Sequence, residues 1–421
     1  MPNSAQKPPP ACAAMTHSML KEKPILPAVE RLAEYTGQVL SFILDGARDI
    51  LPPAEPNPDT PKWAARLVRA WSRERRPNFL LLGLWQTCLA AELRRLLPDD
   101  VLLVVSDVSP EAVRAALAQP EAAVFSHPSA ALLCDTSAWA QRLLLDSTGI
   151  EPASVFAVIN PLLPAAKRDP YHELERLLAL RKAEVARSEK DAPSSLSLAI
   201  ILHPAEPGLA EFFAAIPTWV EQICVLWDAS EPPSTSALGI PPDPRRIDAA
   251  HPLAGDFAAQ RNRALGLCRG EWVLSLDGDE RLPVSLWAAL PALMARQDVA
   301  GYYFQRQTLY PDASSCKMGY GLWPDLQFRL FRSQPGIAYQ RPVHEILEGL
   351  SGTRAVLAAG AIEHYNRLNK TPEELRRKLS VFDGATGGAW GHRLNTEYPS
   401  LARALLPSSE LEFPARLFML P

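Results

Sequence analysis

The sequence predicts an α/β protein built from two unequal units, and three observations carry that prediction. Short apolar runs of strand length alternate with helix-length amphipathic stretches through residues 77–165, and the alternation returns after residue 195. Between the two regions lies the polar stretch Lys190-Asp-Ala-Pro-Ser-Ser, and beyond it the run Leu196-Ser-Leu-Ala-Ile-Ile-Leu202 opens a second sheet. A strand this continuously apolar belongs in a parallel sheet covered on both faces. The chain has 421 residues, 47% hydrophobic and 21% charged, enough to bury two cores.

Composition also excludes function classes. A net charge of −4 gives no electrostatic ground for bulk nucleic-acid binding. The six cysteines, at 12, 88, 134, 224, 268 and 316, lack the paired spacing of zinc or redox motifs, which fits a reducing compartment. No apolar run reaches the roughly 18 residues of a membrane span, and the Pro-rich amino terminus lacks a signal peptide's hydrophobic centre. The expectation is a cytoplasmic protein, with peripheral contact at the inner membrane face left open.

Residues 1–60 read as largely disordered or helical: 1–24 are rich in Pro, Ala and Lys, and 25–50 are helix-prone until Leu51-Pro-Pro ends the pattern. From Lys62 to Arg76 six basic residues stand against one acid, with Trp63, Leu67, Ala70 and Trp71 at helical spacing. The apolar face of that helix packs on the next unit, or the helix lies on an anionic membrane. The alternation of 77–165 then implies a small Rossmann-like parallel unit, placed at 61–190. Gly83-Leu-Trp-Gln-Thr, after its first strand, lacks the glycine series that lets a backbone approach a pyrophosphate. A structural or acceptor-recognition role is therefore preferred for this unit. Tyr171–Ser188 reads as charged and helix-prone, with a boundary near 190.

The chemistry concentrates in residues 256–282. Asp256 caps a helix, Gly270 follows as its stop, and Trp272–Leu276 is a buried strand from whose end Asp277 and Asp279 emerge. Alternation along a strand would point both acids to one side, about 7 Å apart, with Gly278 keeping the space between them open. Paired carboxylates repel unless a cation or proton neutralises them, and hard oxygen ligands suit Mg²⁺ or Mn²⁺. Such an ion, bound to a diphosphate, stabilises it as a leaving group. An isolated Asp-Gly-Asp is more often a solvated turn; the flanking helix and strand shift that reading. Arg261, four residues after Phe257 and four before Leu265, sits on an otherwise apolar helix face. There it needs an anionic partner, either a substrate phosphate or an acid of the Asp277 cluster, unless it snorkels along the helix.

Asp256-Phe-Ala-Ala-Gln-Arg-Asn262, Arg269-Gly-Glu-Trp-Val and Leu276-Asp-Gly-Asp-Glu-Arg281 resemble, in order and spacing, the family 2 glycosyltransferases. The likeness is to the bacterial branch acting on lipopolysaccharide core and cell-envelope glycans, and it covers about residues 195–370. It implies a GT-A-like nucleotide-diphospho-sugar transferase domain at 195–370, with 371–421 left as a helical extension. It also implies a nucleotide-diphospho-sugar donor, a glycan, lipid-linked or protein acceptor, a Mg²⁺ or Mn²⁺ ion, and inversion at the anomeric carbon. In that frame Asp228 and Asp277 hold the nucleoside and Glu206 meets the base. Asp279 binds the metal, with Asp277 and His364 as further ligands, and Arg261 offsets leaving-group charge. His203-Pro-Ala-Glu206 and Trp227-Asp-Ala229 depart from the family's usual wording.

An inverting transfer needs a carboxylate within hydrogen-bond reach of the acceptor hydroxyl. Glu345, in Val-His-Glu, is the choice, with Glu280 and Asp325 as rivals. His344 orients that base or contacts phosphate, and Trp323 and Arg329 complete an acceptor or phosphate group. Other readings stay open: an inactive glycan-binding module, a scaffold for envelope assembly, or a bifunctional protein with an amino-terminal S-adenosylmethionine-dependent methyltransferase-like domain. Thr371-Pro-Glu-Glu374 is a helix start with a capping box.

Overall fold

The computed structural model describes residues 28–43, 57–187, 194–369 and 398–421, with scattered positions from 371 to 380. The first unit runs α1 (Ala28–Ser41), α2 (Thr60–Glu74), β1 (Asn78–Leu82), α3 (Thr87–Leu96), β2 (Leu102–Asp107), α4 (Pro110–Leu117), β3 (Ala130–Cys134), α5 (Ala138–Ser147), β4 (Val155–Ile159) and α6 (Asp169–Leu178). Its four strands are parallel in the order β3-β2-β1-β4. Ser109 and Ser137 cap α4 and α5 by accepting the amides of Ala112 and Ala140. Helix α2 buries Ala64, Leu67 and Trp71, so its apolar face is spent on the protein and its basic face is outside.

The crest of this sheet is filled by the chain itself. A Cβ on Gly83, whose φ is +92°, would come 2.4 Å from Leu163 Cδ1. Asn160 Nδ2 donates to the carbonyls of Gly83 and Leu84 at 3.0 and 3.2 Å, and Asp107 accepts the amides of Leu84 and Ser109 at 2.7 and 2.8 Å. The groups that would greet a cofactor at a topological switch point are thus turned inward on one another.

The second unit contains β5 (Lys182–Val185), β6 (Leu196–Leu202), α7 (Leu209–Ala214), β7 (Gln222–Trp227), β8 (Arg246–Ala250), α8 (Phe257–Leu267), β9 (Trp272–Asp277), β10 (Glu280–Arg281), α9 (Val284–Met294), β11 (Gly301–Thr308), β12 (Ser315–Lys317), β13 (Gln327–Arg332), β14 (Ala338–Gln340), β15 (Ile346–Glu348), β16 (Arg354–His364), β17 (Ser400–Ala402) and β18 (Ala415–Met419). Its large mixed sheet has the order β5-β18-β16-β11-β13-β9-β6-β7-β8, with β10 pairing β16. Strands β9, β6, β7 and β8 are mutually parallel, and β13 runs antiparallel beside β9. The fold is therefore mixed α/β, a small parallel sheet joined to a larger mixed one. The carboxyl ends of the parallel block open on a single edge, where ligands of such sheets bind.

Two expectations are corrected. The stretch after Tyr171 is not helical throughout: α6 stops at Leu178, and Lys182–Val185 pairs antiparallel with β18 at the edge of the larger sheet. The crossing between units therefore precedes residue 190. The tail is not a helical extension in its described end, because Ser400–Ala402 pairs β12 and Ala415–Met419 fills the place between β5 and β16. An apolar Leu-Phe-Met run next to an open sheet edge is more stable paired than coiled. The helix-prone stretch 25–50 forms α1 over 28–41, which lies on β3: Thr36 Oγ1 donates to the Leu132 carbonyl at 2.8 Å and accepts the Cys134 amide at 3.1 Å. The capping box at Thr371 is present, with Thr371 N–H on Glu374 Oε2 at 2.7 Å and Glu374 N–H on Thr371 Oγ1 at 3.3 Å. Residues 1–27 and 44–56 lie outside the described ones.

The two units share one hydrophobic cluster, which joins Leu32, Tyr35 and Leu80 to Cys316, Trp323, Val356 and Phe418. An ion network reinforces the junction: Asp146 of α5 meets Arg142 at 3.4 Å, Lys182 at 2.5 Å and Arg416 at 3.0 Å.

Candidate active site

Helix α8 is placed by its cap and by a glycine. Asp256 Oδ1 accepts the Ala259 amide at 2.9 Å, as its sequence position predicts. Gly270 acts differently from the expected helix stop. Cys268 is the cap residue, and a Cβ on Gly270 would stand 2.6 Å from the backbone nitrogen of Ser197. The glycine lets β9 start against β6, and so sets where β9 ends.

That end is Asp277. Strand β9 stops there and Gly278-Asp279 form a turn before β10. Asp277 and Asp279 therefore do not alternate along one strand, and each acquires its own partners. Arg261 Nη2 donates to Asp277 Oδ1 at 2.8 Å and Oδ2 at 3.1 Å, while Arg329 Nη2 reaches Oδ2 at 2.7 Å. Burial opposes ionisation of Asp277, but the two guanidiniums outweigh it and hold the carboxyl well below its usual range. The expectation that Asp277 shares a cation with Asp279 is thus replaced by neutralisation from arginine.

The arginines extend this contact into a chain of alternating charge. Glu345 accepts from Arg261 Nε; Arg261 meets Asp277; Asp277 meets Arg329. Arg329 bonds the fully buried Glu280 at 2.6 Å, Glu280 meets Arg306 at 3.0 Å, and Arg306 meets Asp325 at 2.7 Å. Each buried guanidinium is lodged between carboxylates, the condition under which burying charge is tolerated. Arg261 also donates to Ser275 Oγ at 3.1 Å, so it is anchored rather than snorkelling.

Asp279, whose charge still reaches Asp277, has different partners. His364 Nε2 lies 3.5 Å from Asp279 Oδ1, and Thr308 Oγ1 holds the opposite ring nitrogen at 2.9 Å. Register puts these groups together, since β16 pairs Glu280 with His364 on one side and Thr308 with His364 on the other. Among the described residues no group of three or more His, Cys, Asp or Glu side chains forms a ready-made metal cage. A carboxylate and an imidazole whose far nitrogen is fixed nonetheless suit a divalent ion that takes its remaining ligands from substrate oxygens. The donor set fits at Asp279 and His364 and not at Asp277.

Glu206 and Asp228 border the same edge. A Cβ on Gly278 would come 2.6 Å from Leu202 Cδ2 and 3.2 Å from Glu206 Cγ, so the loop after β6 lies directly over the acidic turn, filling the space the sequence left open. Asp228 follows β7 and accepts the Leu253 amide at 2.7 Å, tying two loops together. His203 shapes its own turn, Nδ1 accepting the Ala205 amide at 3.1 Å.

The rival bases separate by position. Glu280 is fully buried between Arg329 and Arg306, whereas Asp325 and Glu345 each hold one arginine and stay partly exposed, 28% and 16% of the side chain; of the two, Glu345 lies in the loop of the β14–β15 hairpin. His344 is exposed beside it, at φ +56°. Two acceptor expectations fail. Trp323 is fully buried, edge-on to Tyr35 at 6.0 Å, and Arg329 is committed to Asp277 and Glu280. A large ring in a gap between units, and an arginine among acids, are more stable inside than on a sugar.

Sequence reasoning passed over Arg306, Thr308 and Asn262. A charged residue inside strands as apolar as β11 and β13 was the available signal for the arginines; nothing local marks Thr308. Among the described residues no helix is long and apolar enough to cross a membrane.

No family model matches the chain. A TPR repeat-containing protein of Synechococcus elongatus is 27% identical over 157 residues, an overlap of 37% of this chain and 36% of that protein. The chain thus spans little more than a third of the length of the curated relative it matches. S. aureus TarS 1–349 in complex with UDP superimposes at a TM-score of 0.30 and 12% identity, covering 45% of this chain and 65% of that one. The same protein in complex with UDP-GlcNAc gives 0.29 and 13%, covering 45% and 66%. A putative O-methyltransferase from Klebsiella pneumoniae gives 0.22 and 16%, covering 40% and 68%. Overlaps of this extent carry no argument about activity.

Proposed function

We propose that the second unit is a metal-dependent, inverting glycosyltransferase of GT-A-like architecture that moves a sugar from a nucleotide-diphospho-sugar to an envelope glycan, lipid-linked or protein acceptor. The observation that carries the reading is one sheet edge. The carboxyl ends of β6, β7 and β9 bring Glu206, Asp228, Asp277 and Asp279 together, with His364 beside Asp279 and Glu345 tethered above through Arg261. The likeness of residues 256–282 to family 2 glycosyltransferases adds to it.

In this reading Glu206 and Asp228 border the nucleoside. Asp279 and His364 would hold Mg²⁺ or Mn²⁺, an ion that would supply charge neutralisation to the donor's diphosphate. Asp277 keeps Arg261 and Arg329 in place instead of binding metal. Glu345 takes the proton of the acceptor hydroxyl at a carboxylate oxygen while that hydroxyl attacks the anomeric carbon from the face opposite the leaving diphosphate. Arg261, paired with Glu345, holds that carboxylate in place.

The test is a thermal-shift screen of nucleotide-sugars with and without Mn²⁺. Stabilisation is expected only when both are present, by a few degrees at a hundredfold excess over Kd. Asp279→Asn is expected to abolish it. Stabilisation of that variant equal to wild type would defeat the metal assignment, and no response to any nucleotide-sugar would defeat the transferase reading.

A further inference from the structure

The β14–β15 hairpin that carries Glu345 is held in place by α8. Asn262 stands one residue past Arg261, and its side-chain amide meets the main chain of Tyr339 in both directions. Oδ1 accepts the Tyr339 N–H at 2.7 Å and Nδ2 donates to the Tyr339 carbonyl at 2.8 Å. A single side chain thereby does for β14 what a neighbouring strand would do, satisfying both groups of one buried residue. Tyr339 faces Leu347 across the hairpin, so the clamp holds both strands.

A second clamp lies at the tip. The amide of Phe257, the first residue of α8 and one of the donors a helix leaves unpaired, takes the Pro342 carbonyl at 2.9 Å. Between the clamps Arg261 grips Glu345. The tip is not relaxed: Arg341 and His344 hold φ values of +72° and +56°, a left-handed conformation that non-glycine residues keep only where their surroundings impose it.

The geometry points to Asn262 as the positioning residue for Glu345, an inference that rests on the transferase reading above. Both side-chain hydrogen bonds of Asn262 go to the hairpin and neither goes to a donor-side acid. Its loss therefore falls on acceptor activation and leaves the donor's diphosphate site as it was. Displacing a base by about an ångström is enough to slow a transfer about a hundredfold.

The experiment uses the full chain and compares wild type, Asn262→Ala and Asn262→Asp. Three quantities are read: affinity for nucleotide-sugar with Mn²⁺ by calorimetry, sugar transfer against slow donor hydrolysis, and deuterium uptake by residues 338–348. Asn262→Ala is expected to keep donor affinity within about twofold, slow transfer tenfold or more, leave hydrolysis nearly unchanged, and speed exchange in the hairpin. Asn262→Asp, which keeps an acceptor for the Tyr339 amide, is expected to fall between. Unchanged exchange in both variants overturns the clamp. Faster exchange with undiminished transfer overturns the positioning role, as does a parallel loss of donor affinity. A wild-type chain that binds no nucleotide-sugar removes the transferase reading itself, and the exchange data still show whether Asn262 holds the hairpin.

Discussion

At the scale of single residues, two buried acids make opposite demands. Asp277 is ionised among arginines, so Asp277→Asn leaves Arg261 and Arg329 facing a neutral amide and is expected to cost about 3–5 kcal/mol, measured by urea unfolding. Asp135, in the first unit, is ionised with difficulty. Burial raises its carboxyl to about 7, although hydrogen bonds from Tyr35 and Ser137 pull the other way. A folded-state value above the unfolded one means that the native chain holds the extra proton. The stability tied to this site is complete below the unfolded value of about 4 and is lost as pH rises through about 7. Asp135→Asn is expected to flatten the fall in melting temperature between about pH 4 and 7; a slope equal to wild type would show that another group sets it. The pairing of Arg261 with an acid of the Asp277 cluster was legible from residue type and spacing. The places of Arg306, Arg329 and Thr308 beside these acids were not, because they reach the site through sheet register, which depends on chain far away in sequence.

At the scale of elements, helix α8 and strand β9 followed from their own residues, since Asp256 caps the one and the apolar run fixes the other. Gly270 was legible as important but not for the right reason. The glycine is needed for close approach to β6, and only the packed sheet reveals that. Gly270→Ala is expected to destabilise by about 1–3 kcal/mol through overpacking against backbone. Gly266, inside α8 with open space around its Cα, gives the contrast: Gly266→Ala is expected to stabilise by up to about 1 kcal/mol. Denaturant midpoints for the pair check both signs together. The hairpin of residues 338–348 was invisible as a hairpin, because its turn uses left-handed Arg341 and His344 where Gly or Asn would have announced it.

At the scale of the molecule, the sequence read as a chain of modules with a joint near 190, whereas the units exchange elements. Strand β5 precedes that joint yet borders the larger sheet, and β18 sits between it and β16. A fragment of residues 195–370 is therefore expected to aggregate, since it lacks β18 and the Tyr35 face against Trp323; the full chain is expected to unfold in a single transition by calorimetry. Two well-separated transitions would show that the shared cluster does not couple the units. The exchange of strands has a consequence for biosynthesis. While the chain is still leaving the ribosome, β16 carries a bare, hydrophobic edge, and it stays open until Met419 has emerged. The insertion of one late strand closes that edge, the kind of unpaired apolar surface that makes a partly made chain prone to aggregate.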